Sequence, residues 1–211
     1  MALYRSRTFE PLLGMPGFST PLLKAHFGLY EGYVSQASAL QERLEVLLRA
    51  GKVETPEYAE LKRRFGWEFN GMRLHELYFD TMSKKATGMP KDSPLGSRIA
   101  ADFGSAGTWM KDFKATGSLR GVGWAALVWD PMARRLLNIW IHEHDGGHLT
   151  GCPILLLMDV FEHAYLADYG VKRADYIEAF FNVVAWDVVE SRLGALLEVG
   201  TSKQSLVSGV K

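Results

Sequence analysis

Cysteine is almost absent. Cys152 stands alone among 211 residues, which excludes an intramolecular disulfide and any cluster of thiolates. A metal held by this chain must therefore use imidazole and carboxylate ligands, and a reducing compartment suits it best. Long apolar runs are missing too. No stretch approaches the roughly 18 uninterrupted apolar residues that would cross a bilayer. The segment from Met1 to Pro11 carries Arg5, Arg7 and Glu10 where a secretion signal would be apolar. The sequence predicts a cytoplasmic protein without a membrane anchor. Nor is there an excess of either charge: 24 basic and 24 acidic residues cancel, so nothing indicates a nucleic-acid partner over the whole surface. What the chain has in plenty is apolar side chains, 47% of the total, enough for a buried core in one large domain or two small ones.

After a loop rich in Pro and Gly, Thr20 and Pro21 form a helix start, an N-cap followed by proline at the first helical position. Leu22, His26, Leu29, Tyr33, Ala37, Leu40, Leu44, Leu47 and Leu48 then recur at three- and four-residue intervals, and Gly51 supplies a stop. Thr55 and Pro56 repeat the start signal. Tyr58, Leu61, Phe65, Phe69, Met72, His75, Phe79 and Met82 continue at helical spacing, so the pattern predicts a two-helix hairpin. The glycines and prolines between Ser83 and Ser97 read as a linker, which divides the chain into domains 1–90 and 91–211. One helix is expected from Gly96 to Lys114. "VGWAALVWD", "RLLNIWIH" and "PILLLMDV" read as three strands of a small antiparallel sheet, the first two joined by a turn around Pro131 to Arg134. Helical periodicity returns from Ala174 to Leu197, and the tail after Gly200 reads as frayed. The predicted class is α+β.

Two pairs of residues stand out. In an antiparallel hairpin, residues equally far from the turn lie side by side, and a helix rises about 1.5 Å per residue. Counting from Val53, His26 lies 27 residues before the turn and His75 lies 22 after it, a mismatch of five that a bend could absorb. Both sit on the apolar stripe and should face inward. A single inward histidine is most often a core residue satisfied by one hydrogen bond, but two facing each other invite a ligand. Asp159 ends a buried apolar run, where a carboxylate is costly unless it is paired or binds a cation. His163 follows four residues later. Alone, an Asp and a His at that spacing are common by chance and more often serve as a cap or an ion pair. Together with two inward histidines from the other half, it suggests one site of three imidazoles and a carboxylate between the halves, suited to a borderline metal.

The segments "HFGLYEGYV" from His26, "FNGMRLHELYF" around His75, "GVGWAALV", "DVFEHAY" and "RADYIEAFFNVVAWDVV" occur in a familiar order. From about Leu12 to Leu193 the chain resembles the iron/manganese superoxide dismutases. The resemblance implies a helical hairpin domain, a second domain of helices around a three-stranded sheet, and a metal ion between them. It implies that His26, His75, Asp159 and His163 are the metal ligands, with solvent as a fifth. Tyr33 matches the tyrosine that gates the substrate channel. Glu162 matches the glutamate that reaches a ligand histidine of the partner subunit, and Tyr165 and Arg173 match positions of the dimer contact and the channel mouth. A homodimer is thus implied, and superoxide as substrate.

Departures from the family pattern fall close to this site. The interval from first ligand to gate tyrosine is seven residues where the family usually has eight, and Tyr30 stands where the family has a histidine. Phe79 and Phe161 replace two tryptophans, keeping an apolar wall without indole donors. Gly71 occupies the position from which a glutamine, in many iron members, bonds the metal's solvent ligand. The outer-sphere group must then come from "IHEHDGG", where His144 is preferred to His142 and His148. The implied reaction converts superoxide to oxygen and hydrogen peroxide by cycling of one iron or manganese ion, with a lean to iron. Proton delivery is expected from solvent oriented by Asp159 and His144, and from Tyr33. The alternative from another class is a metal-binding or interaction protein that keeps the fold without turnover. A further rival is a non-haem oxygenase, which would need more open coordination positions than a third histidine leaves.

Overall fold

The computed structural model describes residues 3–207, with the side chains beyond 198 excepted. The hairpin is present as α1 (Thr20–Arg49) and α2 (Pro56–Asp80). The cap of α1 lies one residue earlier than expected: the Ser19 hydroxyl accepts the Leu22 N–H at 3.2 Å, which places Thr20 and Pro21 in the first turn. Thr55 caps α2 as predicted, accepting from the Tyr58 N–H. The inner face of α1 buries Leu22, Leu23, His26, Tyr30, Tyr33, Val34 and Ala37. Leu48, expected inward, is exposed, because near the hairpin tip α1 has only α2 beside it.

The single helix expected from Gly96 to Lys114 is two. α3 (Pro94–Phe103) stops at Gly104, whose φ of +83° is the left-handed conformation that glycine adopts freely, and Ser105 caps α4 (Ala106–Gly117). Three antiparallel strands follow, β1 (Gly123–Asp130), β2 (Arg135–His142) and β3 (Ile154–Asp159), in the order β2-β1-β3. The β1–β2 turn is organised by Asp130, whose Oδ1 accepts the N–H groups of Met132 and Ala133. β1 is the buried middle strand, and its register sets Trp124 opposite Asp159.

Beyond β3 come α5 (Leu166–Tyr169), α6 (Arg173–Phe181) and α7 (Trp186–Val207). A single helix was expected across α6 and α7. It is interrupted because the backbone there pairs with the end of α2: Ser83 N–H donates to Val183 O at 2.7 Å and Ala185 N–H to Thr81 O at 2.8 Å. Helical bonding is given up locally to tie the hairpin to the sheet half. α7 continues past Gly200, where fraying was expected, and residues 208–211 lie outside the described part. No helix among the described residues is long and apolar enough to cross a membrane.

The start of β1 has no room for a side chain. Gly123 adopts φ +152°, and a Cβ there would lie 2.0 Å from Ile141 O, while its own carbonyl accepts the Val160 N–H beside Asp159. Gly123→Ala is expected to lower stability by about 1–3 kcal/mol or more, read as a lower urea midpoint at unchanged slope. An unchanged midpoint would mean that the strand start is not packed in this way.

Candidate metal centre

The hairpin, the end of β3 and the turn after it bring His26, His75, Asp159 and His163 together, one potential ligand atom from each lying within 4.8 Å of all the others. Asp159 Oδ2 is the hub. His163 Nε2 lies 3.1 Å from it, His26 Nε2 3.2 Å and His75 Nε2 3.7 Å. His26, His75 and Asp159 are buried, and the His163 side chain keeps 27% of its exposure.

Local chemistry aims each group. Asp159 Oδ1 accepts the Phe161 N–H at 2.9 Å, an Asx turn that leaves Oδ2 facing the imidazoles. The Asp159 carbonyl accepts the Tyr176 hydroxyl at 2.5 Å, fixing the strand end from behind. A 3-10 turn at Glu162–Ala164 then returns His163 toward the carboxylate. His75 Nδ1–H donates to Gly71 O at 2.6 Å. A carbonyl can only accept, so the ring proton resides on Nδ1 and the Nε2 lone pair is bare.

The protonation pattern suits a cation. Burial drives His26 and His75 below their ordinary range, so both rings are neutral. Burial alone would raise the Asp159 carboxyl, but the imidazoles of His163 and His26 beside it outweigh burial and hold Asp159 well below the usual range. Yet the buried Nε2 atoms of His26 and His75 have no hydrogen-bond partner of acceptable geometry. Two bare nitrogens aimed at a buried carboxylate oxygen form an arrangement that a positive ion resolves. Bonds of about 2.1 Å to a first-row cation set ligand atoms about 3 Å apart at right angles and about 3.6 Å apart at 120°. The three imidazole nitrogens, 3.1 to 3.7 Å from Asp159 Oδ2, fall close to that span.

A second set of groups surrounds this cluster. Of the three loop histidines, His142 and His148 are exposed and His144 is fully buried. Burial pushes His144 down to about 4, so its ring is neutral. Its Nδ1 accepts the Trp124 indole N–H at 3.2 Å, which leaves the ring proton on Nε2, 2.9 Å from Tyr33 Oη. Tyr33 stacks on His75 with ring centroids 5.1 Å apart, and burial pushes its phenol well above the ordinary range. Phe161 stacks on both His144 and His163, and Phe79 packs against His26.

A family model described as iron/manganese superoxide dismutases, C-terminal domain, matches residues 91–192. The iron superoxide dismutase of Saccharolobus solfataricus is 36% identical over 183 residues, covering 84% of this chain and 86% of that one. The chain belongs to the iron/manganese superoxide dismutase family. A manganese superoxide dismutase of Haloferax volcanii is also 36% identical, over 87% of this chain and 91% of its own, and the iron protein of Aquifex aeolicus is 34% identical over 84% and 85%.

Within that family the departures at Tyr30 and Gly71 have local causes. Tyr30 is fully buried and faces the N-terminal segment: its hydroxyl accepts the Arg7 backbone N–H at 2.9 Å and donates to Glu76 Oε1 at 3.0 Å. It is therefore a strut between the hairpin and residues before α1. Arg173, expected at the channel mouth, donates to the carbonyls of Leu119 and Gly121 and to Tyr165 Oη, so its guanidinium braces the loop before β1. The structural roles of Trp124, Tyr176, Trp67 and Glu143 escaped sequence reasoning, because each is defined by a partner distant in the chain.

Gly71 is glycine because Tyr33 lies against it. A Cβ at 71 would sit 2.6 Å from Tyr33 Cδ1, so no longer side chain fits with the tyrosine in place. Gly71→Ala should cost about 1–3 kcal/mol, and combining it with Tyr33→Leu should recover at least about 0.5 kcal/mol in a double-mutant cycle. Strict additivity would show that the two do not touch.

Proposed function

We propose that this protein is a superoxide dismutase that binds one iron or manganese ion through His26, His75, Asp159 and His163. The observation that carries the reading is the convergence of these four groups, with two bare buried imidazole nitrogens, beside the Tyr33–His144 pair. Relatives named superoxide dismutase across most of both chains support it. The reaction takes two superoxide anions and two protons to oxygen and hydrogen peroxide. The bound ion supplies the one-electron couple.

The rest falls to the chain. Three imidazoles and one carboxylate would hold a cation with only moderate compensation of charge, and the surrounding rings would wall it off from bulk solvent. Trp124 keeps the His144 proton on Nε2, where it is donated to Tyr33 Oη. The phenol's own proton is then turned away from His144, toward an arriving anion. Tyr33 and His144 are in this reading the proton-handling residues.

Iron is the metal we propose, although relatives named for iron and for manganese match at the same 36% identity. The assembly proposed is a homodimer through Glu162 and Tyr165. Exposed Glu162 and partly open His163 share a largely apolar hollow with Pro21, Leu22, Ala25 and half-exposed Leu166, which a second copy would cover. The lone cysteine accords with a cytoplasmic location. The division at residue 90 separates the hairpin's ligands from those of the sheet half.

Metal-replete protein is expected to consume superoxide. His163→Ala should retain less than about one hundredth of that activity, a larger loss than the 10- to 100-fold typical of outer-sphere partners. Reconstitution with each metal decides between iron and manganese. Wild-type protein that binds the ion without turnover would leave the non-catalytic binding protein as the correct reading.

A further inference from the structure

Tyr33 keeps 9% of its exposure and His144 none. Of the rings around this pair, His75 and Trp124 are fully buried. Phe161 reaches the surface but, of the two, touches only His144. Trp67 reaches the surface and touches both, with ring centroids 5.5 Å from Tyr33 and 4.6 Å from His144. It is the cover of the pair.

That cover is pinned from two sides. The Trp67 indole N–H donates to Glu143 Oε2 at 3.1 Å. The Arg64 guanidinium lies 3.9 Å above the ring and is itself held by buried Glu68 through Nε at 2.9 Å and Nη2 at 2.7 Å. Glu143 has φ +48°, a conformation uncommon away from glycine, and its backbone N–H donates to Val122 O. This turn sends Glu143 outward to Trp67 and the next residue, His144, inward to Tyr33. One short strained segment thus sets the outer-sphere imidazole and fastens the ring that covers it.

We propose that Trp67, latched by Glu143, is the access-limiting side chain of the site and restricts what reaches Tyr33 to the smallest anions. It is a specificity-determining residue, and the inference rests on the superoxide dismutase reading.

The test uses metal-replete protein and two carboxylates that share a head group but differ in bulk, formate and benzoate, as inhibitors of superoxide consumption. Trp67→Ala is expected to strengthen inhibition by benzoate at least about tenfold relative to formate, with Glu143→Leu intermediate and Glu143→Gln, which keeps an acceptor for the indole, close to wild type. Exchange of the Trp67 indole N–H, followed by NMR with and without metal, should be about tenfold faster in Glu143→Leu than in wild type and restored in Glu143→Gln. Glu143→Leu carries the test should Trp67→Ala fail to fold. An active wild type whose variants leave the benzoate-to-formate ratio or the indole exchange unchanged overturns the latch alone. A wild type that does not consume superoxide overturns the functional reading, and the latch with it.

Discussion

A buried carboxylate at the end of a buried strand is the constraint on which this molecule is built. Asp159 has no exposure, and leaving its charge there uncompensated would cost several kcal/mol. The fold answers with three imidazoles from two separate parts of the chain. Holding them there needs the α1–α2 hairpin on one side and the turn after β3 on the other, and it needs the two to stay in register. The break between α6 and α7 becomes intelligible in that light. Continuous helix is sacrificed so that Val183 and Ala185 can pair with the end of α2, the helix that carries His75. Tyr176 serves the same end from the other side, bonding both the Asp159 carbonyl and Tyr78 of α2.

Around this hub the second layer is defined by directional hydrogen bonds. Trp124 can only donate, so His144 must accept on Nδ1 and donate from Nε2. One indole therefore determines which way the proton points at Tyr33. The glycine at 71 is part of the same layer, since it leaves space for the Tyr33 ring and offers the carbonyl that sets the tautomer of His75. Two imidazoles, His75 and His144, thus present fixed tautomers for different purposes. One exposes a lone pair to a cation and the other exposes a proton to a phenol.

Much of this was legible in the residues. The helix starts, at Thr55 as read and one residue before Thr20, the stop at Gly51 and the three strands follow from local chemistry that acts within a few residues. The inward placement of His26 and His75 follows from a period of 3.6. The link to Asp159 and His163 needed a resemblance as well as spacing, because an Asp and His four apart are more often a cap or an ion pair. The break between α3 and α4 had a local signal in Gly104 and Ser105 that a purely periodic reading passes over. The break between α6 and α7 had none, since its cause is a backbone pairing with residues about 100 positions away. Tyr30 could be recognised as a departure, but not its use: its partners Arg7 and Glu76 are brought to it only by the hairpin.

The central claim is that one cation sits among three imidazoles and one carboxylate. X-ray absorption at the metal edge of protein isolated with its native metal tests it most directly. The account predicts one ion per chain, a first shell of nitrogen and oxygen at about 2.0–2.2 Å, and outer scattering from three imidazole rings. A sulfur ligand, or fewer than three imidazoles, would contradict it.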